Sequence, residues 1–410
     1  MAASASDPGH RATVGLDPTA PGFFADPYAQ YAALRRLDPV HRSPFGPWMC
    51  TRYEDCVRLL RDPSLSVEDR NAGIDRRARL FGAGDPRRRR GVAAILNLDP
   101  PAHTRIRRLV GKAFTPRRVA ALGSRIEALV DEALDRVAGR GEMDVIADLA
   151  FPLPFAVIAE MLGIPADERM RDVSHTLVRT LEPFTPDDAL PELRDASDAM
   201  RDFVDRIIAG KRARPGDDLL TALIEVRDGG DALSEDELHD QVALLFIAGH
   251  ETTVNLIGNG VLALLRHPDQ LARLRADTAL IANAVEELLR FDPPVQLSRR
   301  ITLADLAIGD TTIPAGSFVF TVLGAANRDP AHFGADADAL DLTRRLAPQH
   351  LSFGGGIHHC LGAVLARAEA RAAIGTLVRR FPDLALATDT PAWNGRLVLR
   401  GLDALPVTLG

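Results

Sequence analysis

Residues Phe353-Gly354-Gly355-Gly356-Ile357-His358-His359-Cys360-Leu361-Gly362 decide how this chain is read. A lone cysteine follows a run of glycines and opens a segment of helical periodicity that continues to about Arg380. Glycines let a backbone turn tightly and lie close against a flat neighbour. A cysteine entering a helix N-terminus sits near unpaired amides and the positive end of the helix dipole. Both favour thiolate over thiol. Taken alone, the residue reads as a buried structural cysteine beside a glycine-rich turn. Zinc is disfavoured, because no second cysteine has ligand spacing, although His358 and His359 are adjacent.

A second unusual block lies upstream. Ala248-Gly249-His250-Glu251-Thr252-Thr253 follows the apolar run Val242–Ile247 inside a long helical pattern. Ser234 and Glu237 form a capping box at its start, and His267-Pro268 ends it after about Arg266. Such a helix would be roughly 48 Å long at 1.5 Å per residue. Gly249 lowers helix propensity by about 1 kcal/mol relative to alanine but allows a ligand to approach the backbone. Glu251 in a mostly apolar helix needs a partner, because an unpaired buried carboxylate is costly. Thr252 can bond back to a carbonyl one turn earlier and open the helix locally. A helix with one solvated polar face is the plainer alternative.

Two further constellations are local. Glu287 and Arg290, three apart on a predicted helix, share a face. His103 and Arg107, in His103-Thr104-Arg105-Ile106-Arg107, are one helical turn apart. An exposed charge would explain each of these singly.

Around these blocks the chain reads as mainly helical from 104 to 290, then as short strands at Val295–Ser298, Ala307–Ile308 and Phe318–Val322, then as an irregular stretch over 327–350. Residues 64–97 are the least regular part of the first half. They hold Arg76-Arg77, Phe81-Gly82 and the run Arg87 to Arg90, read as a solvated loop. The fold class is mainly α with small β-sheets, and no composition change marks an internal domain boundary. Residues 1–22 read as a flexible N-terminal arm and 23–410 as a single domain.

The chain has 410 residues, 46% hydrophobic and 26% charged, with a net charge of −7. These values fit a globular protein with a sizeable core and speak against general nucleic-acid binding. Three cysteines, Cys50, Cys56 and Cys360, make no disulfide framework, so a reducing, cytoplasmic setting is expected. No apolar run approaches the roughly 18 residues of a membrane helix, and Met1–Asp7 does not begin a signal peptide. No membrane anchor is expected.

Together the motifs resemble those of the cytochrome P-450 family. Phe353, Gly356, Cys360 and Gly362 fill every defined position of its haem signature, F-x-x-G-x-x-x-C-x-G. Ala248–Thr252 resembles its acid–alcohol block, and Glu287-x-x-Arg290 its E-x-x-R pair. The resemblance covers roughly residues 20–408. It implies the P-450 fold, a haem b cofactor and Cys360 as the axial iron ligand, whose electron donation favours O–O cleavage. Phe353 would shield the sulfur, and amides after Cys360 would tune it. Ala248 and Gly249 would line the haem. Thr252 would stabilise bound dioxygen, and Glu251 would relay protons. Thr253 would hydrogen-bond structurally, and His250 receives no role. Glu287 and Arg290 would form a buried network with Asn327 or Arg328, Glu286 being the weaker candidate. His103, Arg107, Arg300 and His358 would hold the propionates, with Arg299 on the other face of its strand.

The implied reaction inserts one atom of dioxygen into an apolar small molecule, commonly by C–H hydroxylation. Electrons would come from NAD(P)H through a ferredoxin and its reductase, which would dock on the Cys360 side near Arg108, Lys112, Arg344 and Arg367. The expected pocket residues are Leu96, Leu177, Phe184, Ala248, Val295, Leu297 and Leu397. Ile247–Asn255 with Asn327–Pro330 looks most like actinobacterial enzymes that tailor macrolides and other polyketides. A monomer is expected. Three alternatives stay open: a peroxide-driven haem enzyme, a non-catalytic recruiting protein and a haem-based gas sensor. Glu251 and Thr252 argue against the first two, and the lack of an output domain against the third.

Overall fold

The computed structural model describes residues 15–44, 46–72, 94–183 and 185–410. Arg76-Arg77, Phe81-Gly82, the Arg87–Arg90 run and the pocket candidate Phe184 lie outside the described residues.

The longest element is the central helix, Glu235–Arg266, of 32 residues. Its predicted capping box is present. Ser234 Oγ accepts from the Glu237 amide at 3.2 Å, and Glu237 Oε2 accepts from the Ser234 amide at 2.8 Å. Three acidic residues in the first turn complement the helix dipole. From Thr253 to Leu264 every residue is buried. The helices Pro152–Leu162, Leu190–Ala213, Ile281–Phe291 and Ala363–Arg380 are prominent among those that pack on it. A helix that is apolar nearly all round is stable only in such surroundings.

The strands form small sheets at the side of this bundle. The largest runs in the order Val40–Arg42, Trp48–Cys50, Phe318–Val322, Leu297–Thr302, Leu65–Ser66. Only the Trp48–Cys50 and Phe318–Val322 pair is parallel. The last strand, Pro406–Thr408, pairs with both Glu142–Asp144 and Ala385–Leu386.

The strand expected at Val295–Ser298 is displaced to Leu297–Thr302. Its two arginines break the apolar pattern, but backbone pairing of Arg299 with Phe320 and Arg300 with Val319 carries the strand through them. Within the expected N-terminal arm, the Asp17 amide donates to Gln30 Oε1 at 2.8 Å. No helix among the described residues is long and apolar enough to cross a membrane.

Candidate active site

Leu60 closes the short helix Tyr53–Arg61, and its carbonyl is where the cysteine loop meets the sheet. A Cβ on Gly356 would lie 2.5 Å from this oxygen, and Gly356 has φ +63°. Only glycine tolerates both conditions. Arg300 Nη2, from the sheet, donates to the same oxygen at 3.3 Å. The loop is closed by the Cys360 amide donating to the Phe353 carbonyl at 2.9 Å. Helix Ala363–Arg380 begins three residues after Cys360 rather than at it. Leu361 and Gly362 form the intervening turn.

Cys360 is solvent-accessible, unlike Cys50 and Cys56, which are buried. The thiol is nevertheless ringed by protein, and that burial pushes its pKa up. The Gly362 amide, Arg107 and Arg367 pull in the opposite direction. An accessible sulfur beside a hydrogen-bonding amide and two guanidinium groups suits a metal-bound thiolate. Phe353 lies beneath Arg367, whose guanidinium carbon is 4.4 Å from the ring centroid.

The structure brings His103, Arg107, Arg300 and His358 together. The rings of His103 and His358 are 4.4 Å apart. Arg107 Nη2 donates to the His359 carbonyl at 2.8 Å. His103 is buried with both ring nitrogens unpartnered. Arg300 is buried and bonds only to Ser298 Oγ and two carbonyls, with no carboxylate in ion-pair range among the described residues. Burial and its cationic neighbours push His358 down to about 3. Burial lowers Arg300 to about 10. Burial and cationic neighbours disfavour the protonated forms of His103 and His358, and burial disfavours the charges of Arg107 and Arg300; an anion would relieve both. Arg299 points elsewhere and pairs with Asp69. Orphaned His103 nitrogens, an unneutralised Arg300 and an accessible Cys360 fit a haem with its propionates and axial thiolate.

On the central helix, Ala248 is exposed, and Thr252 is half-buried between buried Glu251 and Thr253. Thr252 Oγ1 donates back to the Ala248 carbonyl at 3.3 Å. Gly249 has a packing role besides the expected one. A Cβ there would meet Ile158 side-chain carbons at 3.0 Å, so close packing against helix Pro152–Leu162 also favours glycine. Glu251 is buried, with His175 Nδ1 at 3.3 Å, Arg396 Nη1 at 3.7 Å and His250 Nε2 at 3.9 Å. Burial opposes its charge, but these groups prevail and hold the carboxyl below its ordinary pKa. Local patterning showed none of these contacts, because His175 and Arg396 come from distant loops and helices. His250 also acquires a place: Nδ1 faces the Phe246 carbonyl at 2.8 Å and Nε2 faces Ser174 Oγ at 2.9 Å.

Glu287 and Arg290 are paired by two hydrogen bonds, and Arg290 reaches the carbonyls of Asn327, Ala337 and Ala339. Of the two expected network partners, Asn327 joins through its backbone and Arg328 does not. Arg328 bonds the Phe291 carbonyl and lies over Tyr28 and Phe291. The third charged member is Arg344, whose Nε is 3.3 Å from Glu287 Oε1. Arg344 is buried and ion-paired, so it is no docking contact. Glu286 belongs to a separate cluster with Arg367 and His350. Burial would raise it, but these partners hold it at about 2. Arg108 and Lys112 both pair with Asp228.

Of the expected pocket residues, Leu96, Ala248, Val295 and Leu397 keep accessible surface. Leu177 and Leu297 are buried, each packed within an apolar cluster.

The family model described as "Cytochrome P450" matches residues 72–392. The chain belongs to the cytochrome P-450 family. Its fold is therefore the P-450 fold, and its class is haem monooxygenase. It is 46% identical over 407 residues to "Cytochrome P450 107B1" of Saccharopolyspora erythraea, covering 95% of this chain and 96% of the relative. It is 44% identical over 396 residues to "Vitamin D(3) 25-hydroxylase" of Pseudonocardia autotrophica, covering 95% of each. The solved structure of the Bacillus subtilis 168 bacillaene polyketide synthase cytochrome P450 PksS superposes with a TM-score of 0.86 at 35% identity, covering 96% of this chain and 99% of that one. This P-450 chain thus spans nearly the whole length of its relatives.

Proposed function

We propose that this P-450 holds haem b through Cys360 and hydroxylates a bulky apolar small molecule of the polyketide class. One dioxygen atom would enter the substrate and the other would leave as water. The observation that carries the reading is the accessible Cys360 beside the unneutralised His103, Arg107, Arg300 and His358 cluster. The haem, when bound, supplies dioxygen activation. Cys360 would hold the iron as a thiolate, and the Gly362 amide would temper its charge. His103, Arg107, Arg300 and His358 hold the propionates. Thr252, whose hydroxyl bonds back to the Ala248 carbonyl, would offer a hydrogen bond to dioxygen when the haem is bound. Glu251 passes protons to that position from the polar cluster around it.

The polyketide class is supported by the likeness to the polyketide-synthase P-450 of B. subtilis, and the similar vitamin D hydroxylase also takes a large apolar molecule. Leu96, Ala248, Val295 and Leu397 would line the pocket. Electrons would come from NAD(P)H through a ferredoxin and its reductase, docking near Arg108, Lys112 and Arg367. Residues 23–410 would act as one haem domain, as a monomer, with residues 1–22 as an arm.

Two spectroscopic measurements test this. The reduced, carbon-monoxide-bound protein should show the red-shifted Soret band of a thiolate ligand, and Cys360→Ser should lose it. A panel running from macrolides to steroids should displace water from the ferric haem at low concentration. A response confined to short fatty acids would remove the polyketide assignment.

A further inference from the structure

Consecutive residues of the helix Arg169–Leu177 grip consecutive residues of the central helix: Ser174 meets His250, and His175 meets Glu251. The second contact is completed from the C-terminal turn. Arg396 Nη2 donates to His175 Nε2 at 2.7 Å and to the His175 carbonyl at 3.1 Å. Arginine carries only donors. The Nε2 of His175 must therefore present its lone pair to Arg396. The proton of the neutral ring then sits on Nδ1, which faces Glu251 Oε1 at 3.3 Å. The neighbours set the tautomer.

Accessibility separates the three side chains. That of His175 is half exposed at 50%, whereas those of Glu251 and Arg396 are at 5% and 7%. We propose that His175 is the entry relay for protons reaching Glu251, and that Arg396 is the gate on it. In the observed arrangement His175 holds its only proton on Nδ1, 3.3 Å from Glu251 Oε1 but outside hydrogen-bond alignment, and has its accepting nitrogen blocked by Arg396. Releasing the Nδ1 proton from a neutral ring would leave an imidazolate, so the ring must first gain a proton on Nε2. That requires Arg396 to withdraw. Water then protonates Nε2, Nδ1 gives its proton to Glu251 Oε1, and the ring is left neutral with its proton on Nε2. Exchange with water restores the first tautomer and readmits Arg396. One proton moves from solvent to Glu251, and no electrons are exchanged.

The gate is tied to the surrounding fold. Glu182 accepts from the Leu397 and Val398 amides at 2.9 and 3.0 Å, fastening the turn that carries Arg396 to the chain just after helix Arg169–Leu177. The charged groups facing the relay are His250 and Glu251 from the central helix, and Arg396 with Asp403 beyond it from the C-terminal segment. Arg179 and Glu182 face it from the following turn, with Arg179 held by Glu192. Movement of the 394–398 turn therefore changes access to Nε2.

This inference rests on the reading of Glu251 as a proton carrier. Its test uses the full-length, haem-loaded, reduced and carbon-monoxide-bound protein, which is diamagnetic, with ¹⁵N-labelled histidine. The His175 signals are assigned by their absence in His175→Asn. Near neutral pH the wild type should show protonated Nδ1 and unprotonated Nε2. Arg396→Met should mix in the other tautomer and speed exchange of the ring proton with water by about tenfold, while Arg396→Lys, which keeps a donor, should restore the wild-type pattern. A protonated Nε2 in the wild type, or an Arg396→Met spectrum identical to it, overturns the gate. Turnover with a substrate found in the panel above supplies the second readout. Glu251→Gln and His175→Asn should each slow oxygen consumption about tenfold or more and alter its solvent deuterium isotope effect, within the range of acid–base contributions. If Glu251→Gln slows turnover and His175→Asn does not, His175 is no relay. If Glu251→Gln itself has no effect, the reading of Glu251 fails first.

Discussion

Arg290 clasps Glu287 with two hydrogen bonds, Nε to Oε2 at 2.6 Å and Nη2 to Oε1 at 2.8 Å, and neither residue has exposed surface. Removing one member of a buried pair strands the other charge, at a cost of roughly 3–5 kcal/mol. Arg290→Ala and Glu287→Ala should each lose about that much in urea unfolding. Both should also retain less haem after gel filtration, because Arg290 fixes the carbonyls of the 327–339 segment. Retention at the wild-type level would show that the network is not needed to hold the haem.

The Leu60 contact makes Gly356 the least replaceable glycine of the loop. Gly356→Ala imposes a left-handed φ on alanine, about 1–2 kcal/mol, and drives its Cβ against the Leu60 oxygen. Gly395, at φ +65° with nothing within 4 Å of where a Cβ would sit, is the natural control. Thermal unfolding should show Gly356→Ala losing clearly more than Gly395→Ala. Equal losses would mean that the backbone angle alone matters.

The cationic cluster predicts a pH signature. His358 falls from an ordinary 6.5 to about 3 in the fold, first through burial and then through His103, Arg300 and Arg107. As pH drops below 6.5 the unfolded chain takes up a proton that the folded chain refuses. Stability therefore falls progressively toward pH 3. Propionates would raise the folded value and flatten the slope. Melting temperatures between about pH 7.5 and about pH 5.5 should decline more steeply for haem-free than for haem-loaded protein, and His358→Gln should flatten the haem-free curve. Parallel curves for the two forms would argue against an anion site.

Glu369 is fully enclosed between helix Ala363–Arg380 and Thr253, and burial pushes it from 4.5 up to about 8. Both its oxygens lack a hydrogen-bond partner. A carboxyl kept neutral in the fold but ionised when unfolded lowers stability as pH rises above 4.5, until the folded group also ionises near 8. Glu369→Gln keeps the shape and removes the titration. It should stabilise the protein by at most on the order of 3 kcal/mol near pH 7, with the gain vanishing near pH 4. A gain independent of pH in denaturant titrations would contradict the assignment.

What the sequence determined was local. The capping box at Ser234, the shared face of Glu287 and Arg290, the turn glycines before Cys360 and the back-bond of Thr252 all lie within four residues, where helix and turn geometry sets the distances. The family motifs extended this to His103, Arg107, Arg300 and His358, which no single segment brings together. Tertiary structure alone decided the rest. The tight contact of Gly249 with Ile158 appears only in the fold, and Arg344 becomes the third charge on Glu287 across 57 residues. His175 and Arg396 meet Glu251 from 76 and 145 positions away in sequence, by the numbering alone. Such contacts depend on how helices dock, and docking is fixed by packing over whole faces rather than by the few residues that finally touch. The turn around Cys360 was therefore legible in one loop, while the partners of Glu251 became visible only when distant segments closed around it.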